Sequence, residues 1–232
     1  MIAIVTSTLI PTRFYSVFSP VERLSQTINT IEKLQGAGFS QIWLFDNSLS
    51  NAGVKELAKA CPKVQIHHTP QYTFKNKGLN EALLLLNNIH HLPANTPIFK
   101  ISGRYYPSAE FKKDIYDAYV GKDFVGVGYN FKNKIADFST KAYFVKNAEV
   151  LTSTVVSSVE DMISYAKGIH GIKSGLTAVK EIFEPKPGTP YQLSIEQSFA
   201  RILKQNNNYQ LLDKMHIEGA EASASTPTPF SE

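Results

Sequence analysis

Short apolar runs separated by longer amphipathic segments dominate the first hundred residues of the chain. Four of these runs have the length and composition of buried strands, namely Ile2–Val5, Gln41–Phe45, Val64–His67 and Ile98–Ile101. Strands that alternate with helices form parallel sheets whose two faces are covered. This half of the chain therefore predicts a mainly parallel sheet flanked by helices.

The segment that follows Ser19 carries the strongest helix signal in the sequence. Ser19, Pro20 and Glu22 supply an N-cap, a proline at the first helical position and a capping-box glutamate. Leu24 and Ile28 begin an apolar stripe at helical spacing, which we expect to face the core. Shorter helices are predicted between the later strands, over 54–60 and 78–89.

The pattern changes after Pro107. Strands are predicted over 124–129 and 141–145, and helices over 108–119, 147–167, 172–183 and 195–203. The fold class is therefore α/β, with a mainly parallel central sheet flanked by helices and a mixed or antiparallel C-terminal half. We expect a single domain over residues 1–220 and a flexible tail over 221–232, because that tail is rich in Ala, Ser, Thr and Pro.

Charge and cysteine content limit the classes of ligand and the cellular compartment that we expect for the protein. The 232 residues carry 24 Lys and Arg against 20 Asp and Glu, a net charge of +4, with no long basic run. This mild basicity favours phosphate-bearing ligands or contact with an anionic membrane surface over nucleic acid. With Cys61 as its single cysteine and neither a signal peptide nor a membrane span at the N-terminus, we expect a cytoplasmic protein.

A pair of cations marks the end of the fourth predicted strand. Ligands of open α/β sheets bind outside the carboxyl ends of the strands, so Lys100 and Arg104 are expected to face a phosphate-bearing ligand. Alternation places Ser102 on the same side as Lys100. Gly103 suits a positive φ or a close backbone approach. The alternatives are a strand-edge side chain for Lys100 and a surface ion pair with Glu110 for Arg104.

Polar residues also follow the first two predicted strands. Thr6 and Ser7 end the first strand, and Asp46 ends the second. Their oxygens are placed either to bind a nucleoside or to stabilise their own loops, as in an Asx turn. Arg13, in the loop after the first strand, is a further candidate for a phosphate contact.

Four parts of the chain, taken in order, resemble the nucleotide-sugar glycosyltransferases of the GT-A fold. They are Ile4–Ser7 with the helix start Glu22–Ile28, then Leu44–Ser48, Asn76–Ala82 and Ser194–Gln197. The resemblance implies a GT-A-like, Rossmann-related fold, a nucleotide-sugar donor and a hydroxyl of a glycan or lipid-linked acceptor, as in polysaccharide biosynthesis. The candidate donor-binding residues are Thr6, Ser7, Arg13, Asp46, Lys77, Gly78, Asn80, Lys100, Ser102, Gly103 and Arg104.

The chain departs from this family at the end of the fourth strand. The family usually carries a DxD-like motif there, which holds a divalent metal on the donor diphosphate, whereas this chain reads Lys100–Arg104. Fixed cations can neutralise a leaving diphosphate as a metal does, so we expect Lys100, Arg104 and Lys77 to replace it. Mg²⁺ or Mn²⁺ is the alternative, and no residue is assigned as a metal ligand. The adjacent histidines at 67–68 and 90–91 match no ligand spacing.

An inverting transfer needs a carboxylate that takes the proton from the acceptor hydroxyl. The resemblance makes Glu196 the first candidate, and Asp137 is the second. Their structural alternatives are a helix-start glutamate favoured by the macrodipole and an ordinary loop carboxylate. A sugar nucleotidyltransferase would carry a Gly-rich loop after the first strand, but Thr6–Arg13 contains no glycine. A non-catalytic nucleotide-sugar-binding domain of the same fold is the alternative to an enzyme.

Overall fold

Strands and helices alternate through most of the chain in the computed structural model, which describes residues 1–11, 16–70, 76–133, 135–167, 171–173, 175–176, 179, 193–221 and 228–232. The strands are β1 (Ile2–Ser7), β2 (Ile42–Asp46), β3 (Gln65–His68), β4 (Ile98–Ser102), β5 (Tyr105–Pro107), β6 (Phe124–Tyr129), β7 (Asp137–Val145), β8 (Tyr209–Leu212), β9 (Ile217–Glu221) and β10 (Thr228–Ser231). The α-helices are α1 (Pro20–Gly36), α2 (Ala52–Ala60), α3 (Lys77–Asn88), α4 (Ala148–Lys167) and α5 (Ile195–Asn206). Ile89–His91 and Lys113–Tyr119 are 3-10 helices.

The central sheet has seven strands in the order β3-β2-β1-β4-β7-β6-β8. The first four run parallel, β7 is antiparallel to both β4 and β6, and β8 is parallel to β6. This arrangement confirms the predicted α/β fold with a mainly parallel half and a mixed C-terminal half. Since Thr6 pairs with both Phe45 and Ser102, β1, β2 and β4 end side by side at one edge of the sheet.

Two hydrophobic cores cover the two faces of this sheet. Ile2 and Ile4 of β1 point into the core beneath α3, α4 and α5, whereas Ala3 and Val5 point into the core beneath α1 and α2. All of β1 and β2 is buried. Because the sheet interior is filled on both sides, its free carboxyl edge is where polar side chains of these strands can meet a ligand.

The buried face of α1 follows the predicted apolar stripe only in its second half, where Ile31 and Leu34 are fully buried. Leu24 and Ile28 are only half-buried, while Arg23, Thr27 and Thr30 are buried. The hydroxyls of Thr27 and Thr30 donate to the carbonyl oxygens of residues 103 and 105, at 3.2 and 2.8 Å. These two hydrogen bonds dock α1 onto the turn after β4, so that face is buried although it is polar.

Helices α3 and α5 begin at the same place. Asn76 caps α3 by accepting from the amide of Leu79, and its amide nitrogen donates to the carbonyl oxygen of Leu193 at 3.1 Å. A Cβ at Gly78 would lie 2.7 Å from the Cβ of Ile195. Gly78 therefore serves the close packing of these two helices.

A second sheet of three strands, in the order β10-β9-β5, was not expected from the sequence. The prediction of a flexible tail is wrong for residues 228–232, because β10 pairs with β9 and Glu232 exchanges backbone hydrogen bonds with Ile217. Phe230 packs edge-on against Tyr105, with ring centroids 5.3 Å apart. Residues 222–227, and most of the predicted helix over 172–183, lie outside the described residues. Within the described residues, no helix is both long and apolar enough to span a membrane.

Gly219 is the position at which the second sheet is most sensitive to an added side chain. A Cβ there would lie 2.3 Å from the carbonyl oxygen of Arg104 and 2.9 Å from the Cα of Tyr105. Gly219→Ala is therefore expected to lower the free energy of unfolding by about 2 kcal/mol, measured by urea denaturation. Gly36→Ala is the matched control, because a Cβ at Gly36 would have no atom within 4 Å. Equal stability of the two variants would show that β5 and β9 are not closely paired.

Candidate functional site

The carboxyl ends of β1 and β4 open into a cleft of about 150 Å³, beside which α1 and α3 begin. Its lining residues are Thr6, Ser7, Thr8, Pro11, Ser16, Arg23, Asn47, Lys77, Asn80, Glu81, Leu84, Ser102 and Arg104. The predicted donor-binding residues that line it are Thr6, Ser7, Lys77, Asn80, Ser102 and Arg104. The structure therefore brings together predicted residues from three separate segments of the sequence.

Three cations lie in the wall of this cleft. Arg23 is buried near the start of α1, Arg104 is half-buried after β4, and Lys77 at the start of α3 is the most exposed. Burial, and next the positive charge of Arg104, lowers the pKa of both Arg23 and Lys77. Within the described residues, none of the three forms an ion pair with a carboxylate. Three cations without an ion pair, two of them near helix N-termini, suit an anionic ligand.

Arg23 is a site residue that the sequence reasoning missed. The apolar stripe suggested that the neighbouring Leu24 faces inward, which would leave Arg23 on the flank of α1. The usable signal is the helical spacing of Arg23, Thr27 and Thr30, a polar stripe on the first helix after β1. The guanidinium Nε of Arg23 donates to the carbonyl oxygen of Thr8 at 3.1 Å, which fixes the Arg23 side chain against the cleft.

Lys100 does not line the cleft, contrary to the prediction. Its side chain is fully buried, forms an ion pair with Glu81 and donates to the carbonyl oxygen of Thr140. Glu81 lines the cleft and also accepts a hydrogen bond from the Thr6 hydroxyl at 3.1 Å. The carboxylate of Glu81 is therefore already engaged by a cation and a hydroxyl.

Asp46 adopts the structural alternative that the sequence left open. Its carboxylate is fully buried and accepts from the hydroxyl of Ser7 at 2.7 Å, the amide of Leu9 at 2.9 Å and the amide of Ser48 at 2.9 Å. The last bond closes an Asx turn. Asp46 thus holds the two loops that follow β1 and β2, and Ser7, although it lines the cleft, has its hydroxyl engaged.

The turn after β4 is shaped by a close approach of its backbone to α1. The amide of Gly103 donates to the carbonyl oxygen of Thr6 at 2.8 Å, and a Cβ on Gly103 would lie 3.0 Å from the Thr27 hydroxyl. The expectation of a close approach is met, whereas the alternative of a positive φ is wrong. The predicted ion pair with Glu110 is also wrong, because Glu110 contacts His216 and the guanidinium of Arg104 lies 5.3 Å from the Tyr105 ring centroid.

The remaining donor candidates fall elsewhere. Gly78 packs against Ile195 and does not line the cleft. Arg13 lies outside the described residues.

Glu196 is connected to the cleft through the core. Its carboxylate is half-buried in the first turn of α5 and accepts from the hydroxyl of Thr140 at 3.0 Å. The carbonyl of the same Thr140 accepts from Lys100, which is paired with Glu81 in the cleft wall. Asp137 stands at the start of β7, three positions before Thr140 and opposite Tyr129. Neither of the two predicted catalytic carboxylates lines the cleft, and Glu196 is the one that this chain of contacts connects to it.

The histidines form a stack of rings. The rings of His67 and His91 lie parallel with centroids 4.0 Å apart, His90 contacts His91 at 3.8 Å, and Trp43 stacks on His67 at 5.4 Å. Among the described residues there is no group of three or more His, Cys, Asp or Glu side chains that could hold a metal ion.

Comparison with known proteins identifies relatives by fold and not by sequence. No family model matches the chain, and no curated protein matches it either. A protein described as a candidate glucose-1-phosphate thymidylyltransferase from Bacillus anthracis, solved with sucrose, aligns with a TM-score of 0.52 and 13% identity, over 91% of this chain and 86% of that chain. The galactosyltransferase LgtC, solved with donor and acceptor sugar analogues, aligns with a TM-score of 0.50 and 8% identity, over 91% and 73%. The chain has a GT-A-like, Rossmann-related fold.

Removing the charge of Glu81 is expected to destabilise the protein strongly. Glu81→Gln leaves the buried ammonium of Lys100 without a carboxylate, which costs about 3 kcal/mol in the free energy of unfolding. The control is Glu56→Gln, which breaks the exposed pair with Lys59 and is expected to cost about 0.5 kcal/mol or less. Urea denaturation at neutral pH measures both. A loss at Glu81→Gln as small as the control would mean that Lys100 does not depend on Glu81.

The histidine stack is expected to make stability depend on pH. Burial, followed by the charges of His91 and His90, lowers the pKa of His67 below its usual 6.5. Because the unfolded chain then binds a proton more readily, the free energy of unfolding should fall as the pH falls through 6.5. His67→Gln should weaken this dependence, and His216→Gln, at the exposed contact with Glu110, should retain it. Thermal unfolding from pH 7.5 to 5.5 measures the difference, and parallel curves for both variants would contradict the account.

Proposed function

We propose that the protein is a glycosyltransferase that moves a sugar from a nucleotide-sugar donor to a hydroxyl of a glycan or lipid-linked acceptor. The observation that carries this proposal is the cleft at the ends of β1 and β4, where Arg23, Lys77 and Arg104 form no ion pair with a described carboxylate. The GT-A-like fold supports it, because ligands of such sheets bind at this edge. LgtC shares this fold and was solved with donor and acceptor sugar analogues.

The phosphates of a nucleotide-sugar donor carry negative charge, which would balance the three cations of this cleft. Negative charge develops on the nucleoside diphosphate as it leaves the sugar. Preorganised guanidinium and ammonium groups stabilise this charge most strongly in a site that excludes water. Arg23 and Arg104 offer planar, multi-donor groups, and Lys77 offers a point charge. The polar side chains of Thr8, Asn47 and Asn80 line the same cleft and supply hydrogen-bonding groups for the rest of the donor.

The acceptor's proton is assigned to Glu196. In an inverting transfer, the acceptor oxygen attacks the anomeric carbon of the sugar and gives its proton to the carboxylate. The bond from that carbon to the donor's phosphate oxygen breaks, and the nucleoside diphosphate leaves. The hydrogen bond from Thr140 fixes one carboxylate oxygen of Glu196. Polysaccharide assembly in the cytoplasm, with contact to a membrane surface that holds the acceptor, is the setting that we propose.

Two other activities are distinguishable from this one. A sugar nucleotidyltransferase shares the fold, but the loop from Thr6 to Arg13 contains no glycine for a phosphate-binding turn. A non-catalytic domain would bind nucleotide sugars without turnover. Measurable transfer or donor hydrolysis would exclude the non-catalytic domain.

Glu196→Gln should slow transfer while leaving nucleotide binding intact. Loss of a general base lowers kcat by about a hundredfold or more, because no carboxylate then takes the proton of the attacking hydroxyl in the transition state. Glu149→Gln is the matched control, since Glu149 also lies in the first turn of a helix and is exposed. The measurements are kcat with the preferred donor and the dissociation constant of its nucleotide. An equal loss of nucleotide binding and of kcat at Glu196→Gln would contradict the role assigned to this carboxylate.

A further inference from the structure

We propose that Arg23, Lys77 and Arg104 hold the donor diphosphate without a divalent cation, and that the cleft is not built to bind one. This inference rests on the proposed function and specifies how its donor site works. The GT-A resemblance implies that carboxylates at the end of β4 would hold Mg²⁺ or Mn²⁺, which would neutralise the charge of the leaving diphosphate. The residues at that place are the first evidence against it.

Among the residues that the structure describes, no free carboxylate lies at the end of β4. The strand end carries Ser102 and Arg104 in place of an acidic pair. Glu81 is the carboxylate in the described cleft wall, and it is neutralised by Lys100 and accepts from Thr6. The nearby carboxylate of Asp46 is fully buried and accepts three hydrogen bonds. A hard divalent cation prefers anionic oxygen ligands, and both of these carboxylates already serve the fold.

The cations, in contrast, are available. Within the described residues, the guanidinium of Arg23 makes one hydrogen bond, from Nε to the carbonyl oxygen of Thr8, so its terminal nitrogens keep their donors for a ligand. Arg104 lowers the pKa of both Arg23 and Lys77, and the carboxylate of Asp46 offsets part of this effect at Arg23, so the three cations lie close enough to repel one another. A diphosphate on this cluster would relieve that repulsion, whereas a divalent cation would add to it.

Two segments that adjoin cleft residues in the sequence lie outside the described residues and contain no acidic residue. Residues 12–15 follow Pro11, and residues 71–75 precede the start of α3. Neither segment contains Asp, Glu, His or Cys, and they carry Arg13 and Lys75. These two segments therefore contain no carboxylate ligand for a metal.

Binding of nucleoside diphosphates in the presence of EDTA tests this inference. The intact protein is titrated calorimetrically with UDP, GDP and inorganic pyrophosphate, once with EDTA and once with Mn²⁺. We expect at least one nucleoside diphosphate to bind in EDTA, with an affinity that Mn²⁺ changes by less than about threefold. Arg104→Gln and Arg23→Lys should each weaken this binding by about tenfold or more, since a charged hydrogen bond to phosphate is lost or misplaced. Arg201→Gln, which alters an ion pair with Asp161 outside the cleft, is the control and should bind as the unchanged protein does.

The possible outcomes separate this inference from the proposed function. Binding that requires Mn²⁺ would overturn the inference and leave a glycosyltransferase with unidentified metal ligands. Binding in EDTA that neither arginine variant weakens would overturn the assignment to this cluster. No binding of either nucleotide under any condition would overturn the proposed function as well. Far-ultraviolet circular dichroism of each variant verifies folding. Because Arg104 is only half-buried, Arg104→Gln is expected to fold and to give a result even if Arg23→Lys does not fold.

Discussion

The buried charge of Lys100 is the constraint on which the arrangement of the site depends. An ammonium group in the core must be neutralised, and Glu81 of α3 does this while the carbonyl of Thr140 accepts one of its protons. These contacts fix α3 and β7 relative to β4. The same Glu81 is thereby withdrawn from Arg23, Lys77 and Arg104, so these three cations form no ion pair with a described carboxylate. The anion binding that we propose for the cleft is thus a consequence of how the core satisfies one lysine.

The parallel half of the fold could be predicted from the sequence, because its signals are local. β1, β2 and β4 are short apolar runs, and α1 carries its capping box within four residues. The small sheet could not be predicted, since β10 and β5 are joined through β9 across more than a hundred positions and none of the three has a strong apolar pattern. Pairing of that kind depends on the tertiary fold.

The site was predictable in position and less so in detail. Strand ends and the turn after β4 indicated Thr6, Ser102 and Arg104, and the structure places all three in the wall of the cleft. The alternation of a strand gives the face on which Lys100 lies, but it does not say whether α3 will cover that face and supply a counter-ion. Arg23 was missed for the converse reason, because a polar stripe on a helix is normally exposed and here it is buried by the turn after β4. In both cases the decisive contact comes from a distant segment.

A galactosyltransferase and a protein described as a candidate glucose-1-phosphate thymidylyltransferase share this fold, so the fold alone does not decide which bond the protein cleaves. The most direct measurement is product analysis by mass spectrometry after incubation with UDP- and GDP-linked sugars and a simple glycoside acceptor, and separately with nucleoside triphosphates and sugar 1-phosphates. The account predicts that a nucleoside diphosphate is released and the sugar appears on the acceptor or on water. Release of pyrophosphate in the second incubation, with the nucleotide sugars left intact in the first, would contradict it.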